Sequence, residues 1–314
     1  MKEKLKVEMS RVTLKQLRAL ATVVRTGSFS GAARVLNVTP PAVTLQMRLL
    51  EETAGMPLVE RPGEGVRPTE GGRELLAAAT RIEAALGECG EALEALAGMD
   101  GGRVSVGVVS TAKYFAPRAL AAFAKAHPNV EIRLQVGNRA ETISALRSYD
   151  LDFAVTGRPP EDFEVEKDVI GDHPHIIVAP PDHALAQRKR IALTELEGEA
   201  FLVREQGSGT RLLMQRLFDE AGLSPEIGME IGSNETIKQA VMAGLGIAFI
   251  SAHTVSAEIE DGRLAELNVS GLPAMRKWFV VKQREKRLLP AAQALWNFFA
   301  TSGVRFLPGI SRKG

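Results

Sequence analysis

The stretch "GSFSGAARVLNVTPPAVTLQMRLLEE", Gly27 to Glu52, decides how the N-terminal part of this chain is read. It holds two short helical patterns separated by "NVTPP". Two consecutive prolines break a helix interior, but in a first turn the backbone N–H groups have no intrahelical partner to lose. Thr39 therefore reads as an N-cap residue, and Pro40 and Pro41 as the opening of the helix. Ser28 reads as the cap of the preceding helix, whose apolar face is Phe29, Ala32, Ala33 and Leu36, with Asn37-Val38 as a tight turn. In the second helix Val43, Met47 and Leu50 share one face and are expected in a core, while Thr44, Leu45 and Arg48 are expected to point outward. Two helices joined by such a turn match the helix-turn-helix that places its second helix in the DNA major groove. Generic helix pairs give the same pattern, so the surroundings must decide.

Charge is the first surrounding signal. Residues 1–50 carry nine Lys/Arg and two Glu, net +7, whereas residues 51–100 carry four Arg and eleven Asp/Glu, net −7, in a chain of net charge +1. The first block attracts a polyanion and the second repels one, which confines any nucleic-acid contact to the N-terminal unit. A pair of solvated helices with uneven charge is the plainer alternative. Further on, "LVER" and "VRPT" flank Pro62-Gly63 and Gly65, a hairpin signature that sets Arg61 and Arg67 on a wing where basic side chains grip phosphates.

From Gly72 to Met99 the apolar positions are Leu75, Ala79, Ile82, Leu86, Cys89, Leu93 and Leu96, spaced alternately by four and three. That is a heptad seam on a rod of roughly 40 Å at 1.5 Å per residue. So one-sided a helix must pack against something: a second copy of itself, or the chain's own domain, with Gly87 and Gly90 weakening the helix. After the glycine-rich "GMDGGR" the texture changes to strands alternating with helices, which implies parallel sheets flanked by helices. The expected organisation is an N-terminal unit at 12–70, a long helix at 71–99 and an α/β domain at 103–302. That domain divides into lobe I, about 103–160 with 270–302, and lobe II, about 161–269. Crossings are expected near Arg158–Asp162 and Leu267–Pro273.

The chain has 314 residues, 45% of them hydrophobic and 25% charged, ordinary globular composition for two or three folded units. No run approaches the roughly eighteen apolar residues of a membrane span, and "MKEKLKVEMSRV" lacks a signal-peptide core, so a cytoplasmic protein with no membrane partner is expected. The single cysteine, Cys89, excludes an internal disulfide and fits a reducing compartment. No catalytic constellation is recognisable: there is no "GxSxG" elbow and no nucleophilic cysteine set, and "GSGTR" lacks the lysine and spacing of a phosphate-binding loop. His173, His175 and His183 read as loop histidines, since Pro174 prevents the helical spacing of zinc ligands and no carboxylate stands at ligand distance in sequence. No metal site and no enzymatic function are expected.

With these residues in view, "LKQLRALATVVRTGSFSGAARVLNVTPPAVTLQMRLLEETAGMPLVER...VRPTEGG" resembles the winged helix-turn-helix of LysR-type transcriptional regulators throughout. The family's order of parts covers about Val12 to Ser302. Within it, "GVVSTAKYFAPRALAAF", "FAVTGRPPEDFEVE", "FLVREQGSGTR" and "SNETIKQAVMAGLGIAFIS" are most similar to the CbbR branch, activators of carbon-fixation (RuBisCO) operons. The resemblance implies an α-helical winged helix-turn-helix, a long linker helix and a two-lobed α/β effector domain with the fold of periplasmic solute-binding proteins. It implies dimers through the linker helix, homotetramers that bend double-stranded promoter DNA, and RNA polymerase as a further partner. It places DNA contacts at Ser28, Ser30, Arg34, Thr39, Pro40, Pro41, Thr44, Leu45, Arg48, Arg61 and Arg67. No cofactor is implied. Effectors of the branch are phosphorylated sugars and acids of carbon fixation, or NADPH. Three departures bear on the operator: the family commonly has Gln at Pro40, a basic residue at Glu64 and Arg at Gly31.

Ligands of open parallel sheets sit at a cleft beyond the strand ends, where helix N-termini favour anions. Ser110 and Thr111 end one strand, Thr156 another; Gln206, Ser208, Gly209 and Thr210 open one helix, Ser233 and Asn234 a second. Lys113, Arg139, Arg158 and Arg211 can add charge. Each hydroxyl taken singly is an N-cap; four groups at the ends of successive elements read as an anion pocket. The competing class is a metabolite-binding protein whose N-terminal helices serve assembly alone, or a regulator of an unrelated operon.

Overall fold

The computed structural model describes residues 9–61, 65–96 and 101–309. Pro62, Gly63 and Glu64, where the tip of the wing is expected, lie outside the described residues, as does the segment 97–100 of the linker. Contacts divide the chain into two units, Met1–Glu91 and Ala92–Gly314.

The first unit begins with α1 (Leu14–Thr26), α2 (Phe29–Leu36) and α3 (Pro40–Ala54). Thr13 opens α1 through a reciprocal capping box with Gln16, and Gly27 closes it in the left-handed region at φ 67°. Ser28 caps α2, its Oγ accepting the Gly31 N–H at 3.0 Å. Asn37 ends α2 at φ 54°, a conformation asparagine tolerates better than branched residues do. The prolines occupy the first turn of α3 as the sequence predicts, but Thr39 makes no side-chain capping bond. Pro41 removes the N–H of the second helical position, and the Ala42 N–H at the third donates to the Thr39 carbonyl at 3.0 Å.

The inward faces meet in one core of Leu17, Leu20, Val23, Ala32, Ala33, Val43, Met47 and Leu50. Burying each large member contributes about 1.5–3 kcal/mol. Removing the Ser28 cap is a smaller change: Ser28→Ala should cost the first unit about 1 kcal/mol in a melting experiment, and no loss would mean that the bond does not hold α2.

The wing follows as β1 (Val59–Glu60) antiparallel to β2 (Arg67–Pro68), with Glu60 opposite Arg67. Then comes α4 (Glu70–Leu96). Gly72 sits in its first turn where a Cβ would lie 2.0 Å from the Leu58 carbonyl oxygen, so the helix can start this close to the wing because that position lacks a side chain. On the seam, Leu75 and Ala79 are buried in the core with α1–α3, while Ile82, Leu86 and Leu93 are 41%, 46% and 61% exposed and Cys89 is exposed. Packing on the chain's own domain thus accounts for the start of the seam and leaves its continuation open. No described helix is long and apolar enough to cross a membrane.

The second unit runs β3 (Arg103–Val109), α5 (Ala116–Ala126), β4 (Glu131–Gly137), α6 (Arg139–Arg147), β5 (Phe153–Thr156) and β6 (Val165–Ala179). It continues with β7 (Ala200–Arg204), α7 (Gly209–Glu220), β8 (Glu226–Ile231), α8 (Asn234–Met242), β9 (Ala248–Ser251) and α9 (Ala252–Glu260). Last come β10 (Ala265–Glu266), β11 (Ala274–Gln283) and α10 (Pro290–Ser302). The main sheet has the order β10-β6-β11-β5-β3-β4, with β9 beside β6. β7 and β8 form a parallel pair, and Phe201 bridges to Ile247 just before β9.

The expectation of parallel sheets holds in part. β3 is parallel to β4 and β5, but β11 runs antiparallel to both β5 and β6. The reason is the two-lobed plan: one segment leaves lobe I and one returns, and the pair runs side by side in opposite directions. The β6–β11 ladder extends from Val165↔Gln283 to His175↔Ala274, beyond which β6 pairs with β9 and β10 in lobe II. The expected crossings at 158–162 and 267–273 lie just before these strands. His173 and His175 correct another expectation: they are in β6 rather than a loop, and each is 3% exposed. Glu166, Lys167 and Asp168 of that strand are charged and exposed, so nothing apolar marks its continuity in the sequence. His183 does lie in a bend.

Candidate functional site

Two regions gather the residues that sequence reasoning selected. In the first unit, Ser30, Arg34, Thr39, Pro40, Pro41, Thr44, Leu45, Arg48, Arg61 and Arg67 are all exposed, and Ser28 is half-buried as the cap of α2. On α3 the Thr44 hydroxyl donates to the Pro40 carbonyl at 3.0 Å, and Arg48 pairs with Glu52 at 2.8 Å in solvent. An exposed pair of this kind is worth well under about 1 kcal/mol and yields readily to a competing phosphate or base. The Arg61 guanidinium lies 5.1 Å from the centre of the Phe29 ring, which steadies a wing cation against α2. Val43, Met47 and Leu50 hold the opposite face of α3 in the core, so the helix presents a fixed polar side.

The second region is a pocket between the lobes. β3 delivers Ser110 and Thr111, β5 delivers Thr156, Gly157 and Arg158, and the N-terminus of α7 delivers Ser208, Gly209 and Thr210; Asn138 and Arg139 line it from the start of α6. Its cavity volume is about 60 Å³, so in this arrangement of the lobes the cleft is narrow. The lobes touch on more than one side of it. The Ala140 N–H donates to the Gly207 carbonyl at 3.2 Å, and the Tyr114 hydroxyl donates to the Glu235 carboxylate. Burial, then that bond, pushes the Tyr114 hydroxyl upward from its ordinary range.

Arg204 connects the two walls. It is 3% exposed, at the end of β7. Its guanidinium donates to both Glu205 oxygens at 2.7 and 2.8 Å, to Ser110 Oγ in lobe I at 3.1 Å, and to Asn234 Oδ1 at the start of α8. Glu205 balances its charge, so Arg204 acts first as a clamp. Arg139 differs. Its guanidinium donates to the carbonyls of Arg158 and Pro159 at 3.3 and 3.2 Å, and burial followed by the nearby Arg158 charge lowers its pKa. It is a half-buried cation beside the N-terminus of α7, the arrangement that attracts an anion.

The hydroxyls divide between capping and non-capping roles. Ser233 caps α8, accepting the Thr236 N–H at 3.3 Å, and Thr156 closes a turn with Arg158. Ser208 and Thr111 stand at cap positions and make no side-chain capping bond, although each is buried. Those two line the pocket together with Thr210 and with Ser110, whose Oγ already accepts from Arg204.

Lys113, Gln206, Arg211, Ser233 and Asn234 do not line the pocket. Arg211 donates to the Arg204 carbonyl at 2.9 Å and pairs with Glu230; Asn234 is buried behind Arg204; Lys113 stands 3.9 Å from Glu235; Gln206 is exposed. Sequence reasoning missed Asn138, His173, His175, Arg204, Arg216 and Arg276, all of which line it. The one signal for the histidines is the clustering of "HPH", which reads as loop, and Arg204 is concealed at the end of the apolar run "FLVR".

Comparison with known proteins bears on both regions. Residues 14–73 match the bacterial regulatory helix-turn-helix protein, lysR family, and residues 97–303 match the LysR substrate binding domain. The chain is 56% identical over 298 residues to the HTH-type transcriptional regulator CbbR of Xanthobacter flavus, covering 94% of this chain and 90% of the relative. It is 42% identical to the RuBisCO operon transcriptional regulator of Allochromatium vinosum, covering 94% of this chain and 97% of that one. Among solved structures, the regulatory domain of Synechocystis PCC6803 CcmR in complex with 2-PG is 35% identical with TM-score 0.62, covering 64% of this chain and 96% of the other. Full-length CbnR complexed with its target DNA, at 23% identity, TM-score 0.53 and coverage of 91% and 98%, shares the fold. The named relatives are transcriptional regulators, not enzymes.

Proposed function

The chain belongs to the LysR family of transcriptional regulators, and from that premise we propose that it controls carbon-fixation genes in response to a small phosphorylated metabolite or NADPH bound between its lobes. The observation that carries the effector half is the pocket itself: Arg139, Ser208, which makes no side-chain capping bond, and the α7 N-terminus converge on one cleft between the lobes. The 2-PG complex of the Synechocystis domain and the names of the CbbR relatives support the same chemistry. Titration calorimetry on the full-length protein with 2-PG, NADPH and simple phosphate esters tests it, and the absence of heat with all of them would overturn this half.

On the DNA side, α3 reads the major groove with Thr44, Leu45 and Arg48 while Arg61 and Arg67 hold phosphates. Arg67→Ala should weaken binding across sequences and reduce the slope of log affinity against log salt by about 0.9, as loss of one phosphate contact does. Thr44→Ala should change sequence preference instead, by about 1–3 kcal/mol between bases. Gel shifts over a salt series separate the two; affinity that is flat with salt would exclude DNA as the partner of this face. Dimers form through the open stretch of the seam, Ile82, Leu86, Cys89 and Leu93, and dimers pair into tetramers that bend the promoter. Effector binding then alters the relation of the paired DNA-binding units, which requires a ligand that prefers one arrangement. Footprints with and without 2-PG should differ in extent.

A further inference from the structure

The pocket floor carries two imidazoles with no assigned role. His173 and His175 stand two residues apart on β6, their rings 4.2 Å apart, and both line the pocket. In each the Nδ1 is buried and without a hydrogen-bond partner. His173 is otherwise fixed: its Nε2 is 3.0 Å from Ser251 Oγ, and its ring stacks on Trp278 at 3.7 Å. Its Nδ1 faces Gly157 at the pocket wall, where a Cβ would come within 2.7 Å. The ring of His175 stacks on Phe249. Two adjacent buried polar atoms without partners cost stability, and beside a ligand pocket the partner to expect is the ligand.

Charge decides which part of the ligand. Burial first, then its histidine neighbours, lowers the pKa of His173 far below the ordinary range; burial takes His175 to about 3, against a hydrogen bond to the His173 backbone that acts the other way. The charged and titratable groups around the pair are His253 on α9, Arg276 on β11, Arg204 on β7, Arg139, Arg158 and Arg216. Asp172 is engaged with Lys277 at 2.5 Å. With these five arginines around the pocket, two further positive charges on the rings are opposed and the rings stay neutral. A neutral imidazole nitrogen either accepts or donates, according to tautomer. A hydroxyl satisfies either state, whereas an anionic oxygen can only accept.

Resting on the reading of this pocket as the effector site, we propose that His173 and His175 read a neutral hydroxyl of the effector, whose anionic group sits at the Arg139 and α7 end. The effector class is therefore a hydroxylated phosphate ester or acid, held at two chemically distinct poles.

Two probes that share a phosphate and a three-carbon chain test this: glycerol 3-phosphate, and n-propyl phosphate, which lacks the hydroxyls. Calorimetry on the full-length protein at about pH 7.5, where both phosphates are mostly dianions, should show glycerol 3-phosphate binding about tenfold tighter or more. His173→Phe and His175→Phe keep an aromatic ring for stacking. Each should pull that ratio toward one while n-propyl phosphate affinity moves by less than about threefold. A merely structural role would weaken both esters together. Equal affinities in the wild type, an unchanged ratio in both variants, or binding of 2-PG with neither ester bound would each overturn the proposal. If 2-PG, NADPH and both esters all fail to bind, the effector reading of the pocket falls, and this inference with it.

Discussion

Replacing Arg204 by methionine is expected to abolish effector binding and to destabilise the second unit by about 2–4 kcal/mol. Loss of one partner from a buried ion pair costs about 3–5 kcal/mol because the other is left uncompensated; the Glu205 side chain retains 22% exposure, which moderates the figure. The functional loss follows from geometry. Arg204 joins Ser110 of lobe I to Asn234 of lobe II, and without it two pocket walls lose their common anchor. Arg204→Lys supplies charge but no planar fork and should rescue stability more than binding. Urea melts and calorimetry with 2-PG separate the two effects. If Arg204→Met bound 2-PG as the wild type does, Arg204 would not organise this site.

Acid should unfold the second unit early, for reasons that lie in its histidines. His175 titrates at about 3 and His253 at about 4, both lowered first by burial, and His173 lies well below its ordinary value. His253 has a further reason: its Nδ1 accepts the Trp278 indole N–H at 3.1 Å, a bond that protonation there would break. In the unfolded chain each titrates near 6.5. Between these limits the unfolded chain binds more protons than the folded one, so stability is fully present above about pH 6.5 and declines as pH falls toward 4 and 3. Each group contributes about 1.4 kcal/mol per pH unit inside that window, so the three together remove about 4 kcal/mol between pH 7.5 and 5.5. A domain has about 5–15 kcal/mol in all. Urea midpoints at the two pH values give the check, and His175→Phe should flatten the difference by about a third. Identical midpoints would show that the folded-state pKa values are not depressed.

Much of the first unit was legible because its signals are local. Pro40 and Pro41 can stand together in a first turn and nowhere else in a helix, so they located the start of α3. The period of Val43, Met47 and Leu50 identified its buried face, and thereby the exposed face that carries Thr44 and Arg48. The pocket was legible to the extent that its residues end strands or begin helices: Ser110, Thr111, Thr156, Ser208 and Thr210 were found by that rule, and Ser233, which obeys it equally, turned out to be a cap. Nothing local distinguishes a hydroxyl that caps from one that faces a ligand.

By itself, then, the sequence determined the helix-turn-helix and its polar face, the heptad period of α4 and the alternation of strands and helices. These depend on contacts within a few turns, where residue type and spacing suffice. Tertiary structure alone decided that His173 and His175 form a pocket floor, that β6 runs unbroken from one lobe to the other, and that Arg204 meets Ser110, 94 residues away. A side chain's partner across such a separation is set by how strands pair and lobes close. The same imidazole is a solvated loop residue or a buried neutral ligand contact according to the walls placed around it.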